Sequence, residues 1–264
     1  MPTKITSVSN PKIKQIFHLR KPADRQAHGL TVIEGHREIM MAFDAKVRIK
    51  ELYIFENKPD PQTKRIIDQC SQLKIPVYET SSAVFAKMAY GDHRQGILAV
   101  CERPVTSLKA FKISSHSLIV IVEGVEKPGN LGAILRTCDA AGVDGVIFCD
   151  PKTDVYNPNV IRASLGAIFT VNVAVASLKD VFDFLKSHKI KVYAASPKGR
   201  HLYSRLTWDR PLAIVVGSED AGLSDAWFKD AHTLLHIPMR GKVDSLNVST
   251  TVGILVYEAM RQRS

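Results

Sequence analysis

The amino-acid sequence predicts two successive α/β domains, and three observations carry the prediction. Short apolar runs alternate with segments of helical periodicity through the whole chain. Two of those runs, Leu118–Val122 and Leu212–Val216, are apolar without interruption. That is the pattern of parallel strands buried on both faces. A stretch bearing Pro, Ser and Lys between Arg103 and Ser117 separates two rounds of the alternation. The domains are accordingly placed at 1–106 and 117–264, with a linker over 107–116.

Residues 1–29 read as a basic helical lead-in, with Asn10-Pro11 as a helix start and Ile13, Ile16 and Phe17 at helical spacing. A strand is expected over Leu30–Glu34, ended by Gly35, and a short helix over His36–Phe43. A second strand spans Ile49–Phe55. A helix over Pro61–Leu73 follows, with Ile66, Ile67, Cys70 and Leu73 on one face. Strands over Ile75–Tyr78 and Gly96–Cys101 complete the first domain. In the second domain, Asn130 is expected to cap a helix running to Ala141, ended by Gly142. Its apolar stripe is Leu131, Ile134, Leu135 and Cys138, and Arg136 falls on the opposite side. Strands are expected over Val143–Cys149, Phe169–Val175, Lys191–Ala195 and Leu234–Ile237, and helices over 157–165 and Leu178–Lys186. The last helix carries Val248, Val252, Leu255, Val256 and Ala259 on one face. Its first turn, Val-Ser-Thr-Thr-Val, is poor helix material because β-branched side chains lose rotamer freedom there. Ser245 or Asn247 suits its N-cap.

Composition bounds the function. The chain is 45% hydrophobic and 23% charged, as globular proteins are. No apolar run is long enough to span a bilayer, and Met1-Pro2-Thr3-Lys4 opens no signal peptide. Four cysteines without CxxC spacing read as buried free thiols in a reducing cytoplasm. Of the formal charge of +10, the larger part lies in residues 1–110, which hold 18 Lys and Arg against 11 Asp and Glu. That asymmetry points to a polyanionic partner, nucleic acid first.

Three loops that follow strands carry glycine and polar residues: Glu123–Asn130, Gly217–Gly222 and Ile237–Ser249. In an open parallel sheet ligands bind at the carboxyl ends of strands. No GxGxxG or GxxxxGK[ST] occurs, no His/Cys cluster has metal spacing and there is no nucleophile elbow. Dinucleotide, P-loop, metal and serine-hydrolase chemistry are set aside.

Pro128-Gly129-Asn130-Leu131-Gly132-Ala133-Ile134-Leu135-Arg136-Thr137, then Val216–Leu223, then Ile237-Pro238-Met239 with Asp244–Ser249, resemble the three signature motifs of the SpoU/TrmH family. These are RNA ribose 2′-O-methyltransferases of the SPOUT superfamily. The first 106 residues resemble the family's substrate-binding domain through Asn10-Pro11, 33–37 and 93–97. The resemblance implies a parallel-sheet SPOUT domain with a deep trefoil knot behind a smaller ribosomal-protein-like α/β domain. It implies S-adenosylmethionine as cofactor, held by Ala195, Gly217, Glu219, Ile237, Met239, Ser245 and Leu246. It places Arg136, Asn130, Glu219, Ser245 and Asn247 at the reacting ribose, and Arg37, Arg94, Arg136 and Arg162 on RNA. It further implies a cytoplasmic homodimer without metal, with Val252, Leu255, Val256 and Ala259 as a contact face that competes with use in the chain's own core. Arginine holds its proton to about pH 12, so Arg136 suits phosphate binding and alkoxide stabilisation better than base catalysis. Simpler readings stand beside these: caps for Asn130, Ser245 and Asn247, turns for Gly217 and Gly222, solvated charges for Glu219 and Arg162. The expected substrate is ribosomal RNA ahead of transfer RNA. The competing class is a catalytically silent RNA-binding or ribosome-assembly protein on the same scaffold.

Overall fold

A computed structural model describes residues 2–55, 60–90, 95–208 and 210–263. The chain divides into two compact units, Met1–Pro104 with Tyr156–Thr170, and Val105–Val155 with Val171–Ser264.

The first unit contains β1 (Thr3–Ile5), α1 (Pro11–His18), α2 (Pro22–His28), β2 (Leu30–Glu34), α3 (His36–Asp44), β3 (Ile49–Phe55), α4 (Pro61–Gln72), β4 (Val77–Thr80), α5 (Ser82–Met88) and β5 (Ile97–Glu102). Its sheet runs β1-β4-β3-β5-β2, with β1, β4 and β3 parallel and β5 antiparallel to both neighbours. The expected helical lead-in is a strand and two helices. Asn10 caps α1 by accepting from the Lys12 amide at 3.0 Å, and Pro22 starts α2 afresh.

The second unit begins with β6 (Leu118–Glu123), α6 (Pro128–Ala140) and β7 (Gly145–Cys149). The next helix, α7 (Pro158–Ala163), belongs to the first unit, although the sequence reading placed these residues in the C-terminal domain. There the Thr31 hydroxyl donates to the Tyr156 carbonyl at 2.7 Å. Gly166, at φ +85, lies so close that a Cβ would sit 2.8 Å from the Cβ of Met41. The expected strand from Phe169 begins only at Val173, since Ala167–Phe169 form a 3-10 turn.

The second unit resumes with β8 (Val173–Ala176), α8 (Leu178–Ser187), β9 (Lys191–Ala195), β10 (His201–Leu202), β11 (Leu212–Val216), α9 (Asp225–Asp230), β12 (Thr233–His236) and α10 (Val248–Arg263). Its sheet, β10-β12-β9-β11-β6-β7-β8, is parallel throughout. All strand carboxyl ends therefore lie along one edge. On one face Ile119, Ile121, Ile147, Ala213, Val215 and Trp227 form a buried core with Val181 and Leu185 of α8. On the other, α6 packs on β7 and α10 packs on α6 and β11. Val252, Leu255, Val256 and Ala259 are buried there, each at 0% exposure, so they are core of their own chain and do not form a contact face. No helix among the described residues is long and apolar enough to cross a membrane.

Candidate active site

The parallel sheet brings two of the three loops side by side. β6 and β11 are neighbours in register, Val122 opposite Val216, so the loops that leave them start level. β9 and β12 lie on the far side of β11, which puts the ends of Ala195 and His236 on the same edge. Strand order reverses at this point: the chain runs from β6 outward to β8, then returns to the other side. Such a switch point is where open α/β sheets hold ligands.

Each loop is shaped locally. After β6, Gly124 takes φ +63 and Pro128 opens α6. The expected Asn130 cap is therefore corrected: Lys127 occupies the N-cap position, and Asn130 lies inside the first turn because proline suits the first helical position. After β11, Ser218 and Gly222 exchange backbone hydrogen bonds of 3.1 and 3.0 Å and close a tight turn. Gly217 faces that turn so closely that a Cβ would lie 2.1 Å from the Gly222 carbonyl carbon. Glu123, buried at the end of β6, accepts from the Ser224 amide at 2.8 Å and ties the second loop to the first strand. The third loop makes no backbone–backbone hydrogen bond over 239–246 among the described residues, and 240–247 are exposed.

Side chains connect all three. Glu219 stands on an exposed turn with its side chain 21% exposed; its Oε2 pairs with Lys127 Nζ at 2.7 Å, and its Oε1 accepts from Asn247 Nδ2 at 3.3 Å. Asn247 Nδ2 also reaches Asn130 Oδ1 at 3.3 Å. Asn247 Oδ1 accepts from the Ser249 amide at 2.9 Å and the Ser249 hydroxyl at 2.6 Å. Asn247, not Ser245, is thus the cap of α10. Ser245 is exposed, and among the described residues its hydroxyl reaches only Asp244, at 3.4 Å. The Glu219 carboxylate beside it raises the Lys127 ammonium above its usual range. Arg136 is exposed on α6 and has no ion-pair partner among the described residues. Ile237 and Met239 are half-buried, whereas Leu246 is exposed.

The remaining arginines lie elsewhere. Arg37 and Arg162 are exposed in the first unit, and both act on the charge of the buried Glu38. Burial pushes that carboxyl up; a backbone hydrogen bond, and after it the two guanidiniums, pull it partly back. Arg94 lies outside the described residues. Lys127 and Glu123 were missed by the sequence reading. A charged residue closing an otherwise apolar strand was the available signal for Glu123; Lys127 offered none. Among the described residues no group of His, Cys, Asp or Glu could hold a metal. A cavity of about 830 Å³ between residues 105–111 and α8, lined by Leu108, Phe111, Asp180 and His188, contains no residue of the three loops. Concavity alone does not single out the site.

A family model described as the SpoU rRNA methylase family matches residues 117–257, more than half of the chain. The chain belongs to the SpoU rRNA methylase family. A second model, an MRM3-like substrate-binding domain, matches residues 10–99. A Bacillus subtilis 23S rRNA guanosine 2′-O-methyltransferase is 29% identical, with 96% of this chain and 98% of that protein aligned. A crystal structure of an RNA 2′-O ribose methyltransferase superposes with a TM-score of 0.87 at 37% identity, covering 99% of both chains. An S-adenosylmethionine-bound rRNA methyltransferase from Sinorhizobium meliloti superposes with a TM-score of 0.90 at 28% identity, over 98% of this chain and 97% of that one. The SpoU chain accordingly has the knotted SPOUT fold that the motifs implied, preceded by a separate α/β unit.

Proposed function

We propose that this SpoU-family chain transfers a methyl group from S-adenosylmethionine to a ribose 2′-hydroxyl of ribosomal RNA. The observation that carries the proposal is the cluster Asn130–Glu219–Asn247, with exposed Arg136 on the same helix as Asn130, where β6 and β11 end side by side. A scaffold that had become silent would be free to lose these polar groups.

The donor set suits the cofactor. The third loop offers unpaired backbone groups, and buried, unpartnered His236 Nδ1 and Ser224 Oγ stand where β12 and the second loop end. A purine is read by such backbone groups and covered by apolar side chains, roles assigned to Gly217, Ile237, Met239 and Leu246, with Ala195, Glu219 and Ser245 beside them. Bound there, S-adenosylmethionine supplies an electrophilic methyl: the S–CH3 bond breaks as the O–CH3 bond forms, leaving a thioether. The chain's part is to hold the ribose hydroxyl and stabilise its developing charge. Arg136 does so as a permanent cation, with an RNA phosphate as its second ligand, and the proton passes to solvent. Asn130, whose Oδ1 is occupied by Asn247, offers its Nδ2 to the ribose. Arg37, Arg94 and Arg162 carry the RNA phosphates of the substrate. A cytoplasmic homodimer completes the reading; with the α10 stripe buried, such a contact would draw on other exposed apolar residues of the second unit, Tyr257 and Met260 of α10 among them.

Calorimetry and labelled-methyl transfer test the proposal. The wild type binds S-adenosylmethionine and methylates ribosomal RNA. Arg136→Ala keeps cofactor affinity within a few fold and loses roughly 10²-fold or more in transfer, as when one transition-state charge contact is removed. A wild type without cofactor binding sinks the reading. Transfer RNA as the better substrate would replace it with the runner-up.

A further inference from the structure

Lys127 holds the N-cap position of α6 but makes no side-chain cap. A cation is unfavourable at a helix N-terminus, where the peptide dipoles already present positive charge. Two observations explain what it does there. Its Nζ lies 2.7 Å from Glu219 Oε2, and the Glu219 side chain is 21% exposed against 68% for that of Lys127. The other oxygen, Oε1, accepts from Asn247 Nδ2.

The orientation of the Asn247 amide is settled by its partners. Its Oδ1 accepts from the Ser249 backbone N–H, a donor that cannot be reversed. Nδ2 must therefore face Glu219 Oε1 and Asn130 Oδ1, both acceptors. The result is a directed chain: Lys127 donates to Glu219, Glu219 accepts from Asn247, and Asn247 accepts from the first turn of α10. It crosses all three loops, and its only permanent cation is Lys127.

We propose that Lys127 is a positioning residue for methyl transfer: it pins the Glu219 carboxylate so that the second oxygen orients the Asn247 amide, and through it Asn130. The proposal rests on the methyltransferase reading. Lys127 touches neither ribose nor cofactor in this account. Its effect belongs to kcat, not to RNA affinity.

The test compares K127M, K127R, E219Q and K127M/E219Q by thermal melting, cofactor calorimetry and transfer kinetics on ribosomal RNA. K127M is expected to melt within roughly 2 °C of wild type, as exposed pairs contribute little stability. Its kcat falls roughly two- to fivefold, the scale of one exposed charge-assisted contact, with KM for RNA unchanged. K127R recovers to within about twofold of wild type, and the double variant is no slower than E219Q. K127M with a raised KM for RNA and unchanged kcat would make Lys127 an RNA contact and overturn the inference. So would losses that add to those of E219Q. An active wild type with K127M indistinguishable from it overturns this inference alone; a wild type that binds no cofactor overturns the functional reading with it.

Discussion

Gly217 and Gly222 stand in one loop and meet different demands. Gly217 has ordinary backbone angles but no room, with a Cβ placed 2.1 Å from a backbone carbon. Gly222 has room but sits at φ +68. Gly217→Ala is therefore expected to push the turn open, weakening S-adenosylmethionine binding at least roughly tenfold and destabilising the fold by about 1–3 kcal/mol. Gly222→Ala costs about 1 kcal/mol of backbone strain and leaves affinity within roughly threefold. Calorimetry and thermal melts on the pair check the order; a larger binding loss for Gly222→Ala would contradict it. At this scale the motifs named residues that the fold brings together, Glu219 and Asn247 with Asn130. The sequence misled at Asn130, where Pro128 at the first helical position moves the N-cap three residues earlier, to Lys127, and it left Ser245 and Asn247 both open as caps of α10, where hydrogen-bond geometry decides for Asn247. Lys127 was illegible because nothing local distinguishes a lysine paired across loops from a solvated one.

One side chain both caps the helix α10 and reaches across to the other two loops. Asn247 Oδ1 caps the first turn while Nδ2 faces Glu219 and Asn130. The two jobs separate by substitution. Asn247→Asp keeps the accepting oxygen and adds a charge that suits a helix N-terminus, but sets two carboxylates against each other at Glu219. Melting is expected to stay within roughly 2 °C of wild type while transfer falls at least roughly tenfold. Asn247→Ala loses both, with about 1 kcal/mol of cap stability. Equal melting losses in the two variants would show that the cap role is misassigned. The cap also resolves the unfavourable first turn, since the buried stripe of Val248, Val252, Leu255, Val256 and Ala259 and this cap hold it. Long, strongly periodic elements such as α4, α6 and α10 were legible, and so were the continuous strands β6 and β11. The short pieces β1, α5, β10 and α9 were not, because two to seven residues repeat a pattern too few times to be read and their place is set by tertiary packing.

The whole molecule is two units whose boundary the sequence cannot mark. Tyr156–Thr170 lies between strands of the second unit yet packs with the first, through a Thr31–Tyr156 hydrogen bond and the close approach of Gly166. Contacts so distant along the chain leave no local signature. Both units bury their free thiols: Cys70 and Cys101 in the first, Cys138 and Cys149 in the second. Burial pushes Cys70, Cys138 and Cys149 up to about 12, and Cys101 up as well. Protons held more tightly in the folded state stabilise it below the unfolded thiol value, near 9. That contribution is lost as pH rises from about 9 toward 12. At pH 8 the folded chain is expected to resist maleimide and the unfolded chain to react at all four thiols. Its melting temperature should decline above about pH 9. Fast labelling of the native chain would contradict the burial.

Mass spectrometry of ribose-methylated nucleosides in ribosomal RNA, from cells with and without the gene, tests the central claim most directly. One 2′-O-methylnucleoside should vanish from ribosomal RNA on deletion. It should return with the wild-type chain and not with Arg136→Ala. An unchanged ribosomal RNA, or a loss confined to transfer RNA, would contradict the account.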